Sequence, residues 1–307
     1  MSTIDETKLP TFSKPLVATN RSDIYDAISP TSRLAGAAKG LSVLVTGSGR
    51  GVGRSTAIAF AQAGAKKVVL TSRSRKELEE VKERIDEAGQ GTEVVIVEAD
   101  LTDEKSVDGV FEQAGEVDVL VNNAGYLEPN VLIRDSSPTE WWRTYAINNF
   151  GTYLATRAFL RAAHAKGLVN DPSKKLTVIN TSSIGSVGTR PGFSSYQPGK
   201  TQINRFTEFL HFEEPAVRTF AIHPGGVMTK LARDAMPANT HHMLQDTPEL
   251  AAGFSLWLAT QEKADFLRGK YVSANWDVDE LVAKKDEILE KDLLWTRVTG
   301  QEQVMSK

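Results

Sequence analysis

The chain has 307 residues, 40% of them hydrophobic and 24% charged, with a formal net charge of −3 and no cysteine. This is the composition of an ordinary globular chain, and its slightly acidic balance argues against nucleic acid or an anionic membrane surface as a partner. The missing cysteines exclude disulfides, thiolate catalysis and cysteine-type zinc sites.

The length allows one large α/β domain with extensions, or two small domains. The first residues, MSTIDETK, are acidic and polar, unlike a signal peptide, and no apolar run approaches ~18 residues. A cytoplasmic protein is expected. Residues 1–40 are polar and mixed, with Pro10, Pro15 and Pro30. Phe12, Leu16, Ile24, Tyr25 and Ile28 are scattered among them. They read as an arm on the domain surface, with one short helix near Asp23–Ile28.

From residue 41 a regular alternation begins. LSVLVT (41–46) is a strand, and VGRSTAIAFAQAGA (52–65) has helical spacing closed by Gly64. KVVLTS (67–72) is a strand, and RKELEEVKERIDEAG (75–89) is an amphipathic helix. EVVIVEAD (93–100) is a strand, followed by a helix over Glu104–Gln113. VDVLVNNAG (117–125) is a strand running into a loop. One long helical region spans Thr139–Lys166. LTVINTSS (176–183) is a strand, a helix runs from about Ser195 to Glu213, and VRTFAIHPGG (217–226) is a strand and turn. A helix over Pro248–Thr260 and the strand GKYVSA (269–274) complete the series.

Apolar strands that alternate with helices indicate a parallel sheet covered on both faces. Right-handed crossovers make it doubly wound, a Rossmann fold in one α/β domain over 41–278. Residues 279–307 form a charged tail in which Leu281, Ile288 and Leu289 are spaced as one apolar stripe of a docked helix.

TGSGRGVG (46–53) lies between the first strand and the first helix, the context that makes a glycine triplet informative. Gly47 permits the sharp exit from the strand, Gly51 lets backbone approach a phosphate, and Gly53 lets the helix pack closely on the sheet. The helix N-terminus then offers free N–H groups to a pyrophosphate. The second strand ends in Thr71–Ser72–Arg73, where NAD sites usually place an acid. With Ser72 there, and with Arg73 and Arg50 nearby, a 2′-phosphate fits better, so NADP(H) is the expected cofactor. Asp100 ends the third strand as an acceptor for the adenine amine or as a turn acid.

Tyr196 and Lys200 stand four residues apart in SSYQPGKTQ, a spacing that puts both on one helical face. Between them, Pro198 and Gly199 are poor helix formers. Proline is tolerated in a first turn, so the pair fits a helix that starts at Ser194 or Ser195. A positive Lys200 favours tyrosinate and pulls the phenol toward the operating pH.

In this order and spacing, TGSGRGVG, NNAG (122–125), YAINNFG (145–151), TSSIGS (181–186), YQPGK (196–200) and HPGGVMT (223–229) resemble the short-chain dehydrogenases/reductases over about residues 41–274. The resemblance implies an NADP(H)-dependent oxidoreductase with a catalytic tetrad of Ser183, Tyr196, Lys200 and Asn148. In it Ser183 holds the substrate oxygen and Asn148 a relay water. It implies cofactor contacts from Gly47, Ser48, Arg50, Gly51, Val52 and Gly53, then Ser72 and Arg73, then Asp100 and Leu101. Tyr196 and Lys200 join this set. Asn123, Ala124 and Gly125 pass the adenosine ribose, or form an ordinary strand-to-loop turn. Val227 and Thr229 meet the nicotinamide carboxamide, with Thr229 a helix N-cap otherwise.

Lys230–Asp246 corresponds to the substrate lid. Its adjacent His241 and His242 cannot face one way, and no metal site is expected. Trp141, Trp142 and Tyr145 are expected as core or subunit contacts, on a helix that makes dimers in the family. A homodimer is therefore expected. The family's acid–glycine–glycine turn is replaced by Ala274–Asn275–Trp276–Asp277, which leaves a tetramer open. The expected partner is a small carbonyl or alcohol. The long arm and the ending YVSANWDVDEL resemble fungal reductases, implying secondary metabolism. Two other readings keep the fold: a non-redox cyclase, isomerase or dehydratase, and a cofactor-sensing regulator.

Overall fold

Strands β1 (Ser42–Thr46), β2 (Lys67–Ser72), β3 (Glu93–Glu98), β4 (Val119–Asn122), β5 (Thr177–Thr181), β6 (Arg218–His223) and β7 (Tyr271–Ser273) form one sheet in a computed structural model that describes residues 16–88 and 91–298. The order is β3-β2-β1-β4-β5-β6-β7, and every pairing is parallel. The register sets Thr46 beside Thr71 and Val45 beside Val121. The order reverses between β1 and β4, so the strand ends splay there and leave a crevice.

Helices α1 (Gly51–Gln62), α2 (Arg75–Glu87) and α8 (Pro248–Thr260) cover one face. Helices α3 (Glu104–Ala114), α5 (Gly151–Ala165) and α6 (Tyr196–Glu213) cover the other. Each presents an apolar stripe to the sheet: Leu78, Val81 and Ile85 of α2 are buried at i, i+3 and i+7. Trp257 of α8 is fully buried at the centre of the first layer. Caps fit the boundaries. Ser74 and Asp103 accept hydrogen bonds from Glu77 N and Ser106 N at the starts of α2 and α3.

The expected helix over Thr139–Lys166 is three pieces: α4 (Pro138–Tyr145), one π turn over Ala146–Phe150, and α5. A π turn holds an extra residue, and this one places Asn148 inward.

The arm departs from expectation. Ile28, Leu34 and Ala38 are 0–1% exposed and belong to the main core, with Val17 and Ala27, while exposed residues such as Ser22, Asp23 and Lys39 lie among or beside them. The short helix is a single 3-10 turn, Asp26–Ile28. Pro10, Phe12 and Pro15 lie outside the described residues, as do 89–90 and 299–307.

The tail is two short helices, α9 (Val278–Ala283) and α10 (Lys285–Glu290), not one. The break at Lys284 rotates the face, so Leu281 and Ile288 are buried while Leu289 is 50% exposed. Asp277 caps α9 by accepting from Asp279 N and Glu280 N, and its carboxylate also holds Arg21 at 2.7 Å. Glu280 turns to the arm and accepts from Ala18 N and Thr19 N. Arm and tail are thus fastened to each other over the first core.

Candidate active site

A cleft of about 1910 Å³ runs along the C-terminal ends of the strands, across the reversal between β1 and β4. The glycine loop forms its floor. Gly47 and Gly51 take left-handed φ of +63° and +55°, which other residues adopt at a cost. A Cβ on Gly53 would lie 2.4 Å from Gly47 O and from Asn123 Nδ2, so only glycine allows this approach. Arg50 precedes α1 in an extended conformation and provides no side-chain cap. The first N–H groups of α1 therefore remain for a ligand, with the positive helix end behind them. This loop, together with the size of the cleft, fits a dinucleotide.

The expected cofactor residues divide between wall and support. Gly47, Arg50, Gly51, Val52, Ser72, Arg73, Asp100, Leu101, Asn123, Ala124, Gly125, Val227 and Thr229 line the cleft, with Ser183, Tyr196 and Lys200. Ser48 does not reach it. It is fully buried, and its Oγ accepts from Thr71 N at 2.9 Å, tying the loop to β2. Gly53 also lies behind the wall. Asn123 donates from Nδ2 to Thr46 O and Gly47 O at 3.0 and 3.2 Å, stapling the loop to the end of β4. Asp100 Oδ1 accepts from the backbone and hydroxyl of Thr102, which hold the carboxyl below its ordinary range. It is a turn acid that still faces the cleft. Thr229 Oγ1 accepts from Ala232 N and caps α7 (Lys230–Ala235).

At the start of α6, Gln197 N donates to Phe193 O and Gly199 N to Ser195 O, so the chain is already turning before Tyr196. Pro198 sits in this first turn, where its missing N–H costs nothing. Gly199 has a specific reason: a Cβ there would lie 2.8 Å from Asn149 Oδ1, and Asn149 Nδ2 donates to Gly199 O at 2.8 Å. Ser195 does not cap the helix. Its hydroxyl donates instead to the buried carboxylate of Glu128.

Tyr196 and Lys200 do share a face, with Nζ 5.5 Å from the ring centroid. Lys200 Nζ donates to Thr181 O at 2.6 Å. Burial pushes its pKa down to about 8. The sequence suggests a phenol pulled below its ordinary value, but burial raises Tyr196, and the opposing influence is a hydrogen bond with Ser183. Protein alone thus keeps the phenol protonated, the form that can donate.

Asn148 is buried, and both ends of its amide are taken. Tyr126 N donates to Oδ1 at 2.8 Å, and Nδ2 donates to Tyr126 O at 2.7 Å. One lone pair and one N–H of the amide are thus committed to the protein backbone. The side chain fixes the loop after β4 against the π turn.

The segment expected as a lid, Lys230–Asp246, comprises α7 and a 3-10 segment. His241 bonds Met236 O and His242 bonds Asn239 O, so the two rings serve local backbone separately. Asp246 anchors this segment by accepting from Gly226 N at 2.6 Å and Asn275 Nδ2 at 2.9 Å. Asn275 also donates to Arg21 O, so the unusual turn after β7 joins the segment to the arm.

Sequence reasoning missed His223, which lines the cleft beside Ser183. Its Nδ1 accepts from Ile184 N at 3.0 Å, and burial pulls its pKa down to about 4. The imidazole is therefore neutral, with Nε2 carrying the proton. Its position at the end of β6, before the proline–glycine turn, was the available signal.

Sheet order, glycine loop and strand-end cleft define a Rossmann-fold protein with a dinucleotide-type site. A family model described as short chain dehydrogenase matches residues 42–240, and the chain belongs to that family of oxidoreductases. Short chain dehydrogenase mpl6 of Monascus purpureus is 45% identical over 264 residues, covering 83% of this chain and 87% of that protein. Short chain dehydrogenase tazN of Aspergillus terreus is 39% identical over 276 residues, 87% of this chain and 58% of that longer protein. Among solved structures, a 3-ketoacyl-(acyl-carrier-protein) reductase from Brucella melitensis complexed with NADH matches with a TM-score of 0.67 and 28% identity. That match covers 76% of this chain and 96% of that one. No helix of the described residues is long and apolar enough to cross a membrane.

Proposed function

We propose that this protein is an NADP(H)-dependent reductase or dehydrogenase acting on a carbonyl or secondary alcohol of a small organic substrate. The observation that carries the reading is the meeting of Tyr196, Lys200 and Ser183 in one cleft with the open N-terminus of α1. The solved NADH-bound reductase supports a nicotinamide cofactor. When bound, the cofactor supplies or accepts the hydride.

The protein's own groups do the rest. Ser183 holds the substrate oxygen as charge develops on it. Tyr196, kept protonated by burial, gives its proton to that oxygen in the reductive direction. Lys200 spends one N–H on Thr181 O and has two others for the ribose hydroxyls. Asn148 acts through the backbone of Tyr126, as a support. A panel of carbonyl compounds, followed by loss of reduced-nicotinamide absorbance, tests the reading. Absence of turnover with every carbonyl class, despite tight cofactor binding, would favour a non-redox or sensing role.

Preference for the phosphorylated cofactor rests on Arg50 and Arg73 beside Ser72. Arg73 is exposed on the rim, and its charge contributes to the low pKa of Asp100. Arg73→Ala is expected to weaken NADPH binding by about ten- to a hundredfold, the worth of a charge-assisted phosphate contact, and to leave NADH binding nearly unchanged. Calorimetric titration of both cofactors checks this, and equal losses would remove the phosphate role.

A homodimer is part of the same proposal, with the protein acting in the cytoplasm and in secondary metabolism. Trp142 of α4, Phe150 at the end of the π turn, Tyr153 of α5, and Phe209 and Phe212 of α6 are 43–66% exposed. Five large aromatic side chains on neighbouring helices suit an isologous interface. Light scattering at micromolar concentration should give twice the chain mass; a monomer would refute this.

A further inference from the structure

The ribose end of the cleft carries an acid that the end of β2 lacks. Glu77 lies in the first turn of α2, lines the cleft with Ser72 and Arg50, and is half-buried. A Cβ placed on Gly49 would fall 2.9 Å from both Glu77 Cβ and Glu77 Oε2, and 3.3 Å from Ser72 Oγ. The carboxylate is therefore pressed against the glycine loop beside the serine hydroxyl. Its other oxygen, Oε1, accepts from Arg50 Nη1 at 3.3 Å.

This rests on the proposed nicotinamide dinucleotide site. We infer that Glu77 is a specificity residue of that site: it acts as the ribose acid from α2, and it competes with a 2′-phosphate for Arg50. Two consequences follow from charge. With NAD(H), the carboxylate can accept from the free ribose hydroxyl, as an acid at the end of the second strand does elsewhere. With NADP(H), the phosphate must draw Arg50 away and sit near a like charge, which costs affinity. Arg73 lies on the rim and is not part of this exchange. Glu77 thus blunts a preference that Arg50 and Arg73 create and narrows the margin by which the wild-type protein favours NADP(H).

The test uses binding alone, on the full chain. Calorimetric titrations with 2′,5′-ADP and 5′-ADP isolate the 2′-phosphate, and titrations with NADPH and NADH repeat the comparison on whole cofactors. Glu77→Gln keeps the side chain's length and leaves the Ser74 cap, which bonds Glu77 N, in place. It is expected to tighten 2′,5′-ADP and NADPH about tenfold and to weaken NADH several-fold. The ratio of the two affinities then shifts by more than an order of magnitude. Arg50→Ala in the Glu77→Gln background should remove most of the gain.

If Glu77→Gln leaves the ratio unchanged while Arg73→Ala lowers it, the inference is overturned and the phosphate reading stands. If neither substitution moves the ratio, both fall. If Glu77→Gln weakens all four ligands equally, Glu77 only braces the loop, and the inference is likewise overturned. A circular dichroism melt matching wild type confirms that such a loss is local.

Discussion

Tyr196→Phe is expected to lower carbonyl reduction by at least about 10²–10⁴-fold while leaving the fold and cofactor affinity almost intact. The substitution removes one hydroxyl and keeps the ring that faces Lys200 Nζ. Lys200→Ala should differ in kind. It removes the ammonium that donates to Thr181 O, so it should reduce both turnover and cofactor affinity.

The pH dependence has a definite direction. Lys200 has its pKa lowered to about 8, so it is mostly charged at neutral pH and loses that charge as pH rises through about 8. Tyr196 is raised and stays protonated over the same range. Reduction should therefore fall on the alkaline side near pH 8, an apparent ionisation that belongs to the Tyr–Lys unit. That limb should vanish in Lys200→Ala. His223, lowered to about 4, should add no ionisation near neutrality. Initial rates across pH, with cofactor affinities from fluorescence titration, check the set. Near-normal reduction by Tyr196→Phe would make the pair structural.

Gly53→Ala should abolish cofactor binding by a different route. The new methyl would meet Gly47 O and Asn123 Nδ2 at 2.4 Å, and neither has room to yield. Gly47 O is bonded to Asn123, whose amide also holds Thr46 O. Relief of the clash must shift the loop or break this staple, and either moves the N–H groups of α1 from their positions. Losing two or more charge-assisted contacts to phosphate is worth at least about a hundredfold in affinity. Overpacking at a tight contact typically costs about 1–3 kcal/mol, so the thermal midpoint should fall by several degrees with the fold retained. Affinity within tenfold of wild type would show that the loop can repack.

Much of the fold was legible because its signals are local. Each strand of the sheet follows a short apolar run, and the breaks between elements fall at residues such as Gly64 and Pro248. The loop TGSGRGVG is contiguous, so its context between a strand and a helix could be read directly. The Tyr196–Lys200 pair obeys helical spacing, and the structure keeps it on one face.

The supporting groups were not legible, because their partners are distant in the chain. Gly199 looked like a weak point until Asn149, fifty residues earlier, was placed against it. Asn148 offered no sign that both ends of its amide would be spent on Tyr126, since that depends on a π turn within an otherwise regular helical pattern. Ile28 and Leu34 read as arm residues because their neighbours are polar, yet both are buried, and Ile28 packs against α8, where a Cβ on Gly253 would come within 2.5 Å of Ile28 O.

By itself the sequence determined the strand and helix succession, the doubly wound class, the glycine loop and the spacing of Tyr196 and Lys200. These depend on backbone propensity and on periodicities of two and 3.6, which neighbouring residues set among themselves. Only the tertiary structure decided the protonation bias of Tyr196 and Lys200, the neutral state of His223, and the meeting of Glu77 with Arg50. Desolvation and pairing depend on what surrounds a group in space, and here that surrounding comes from segments tens to hundreds of residues apart.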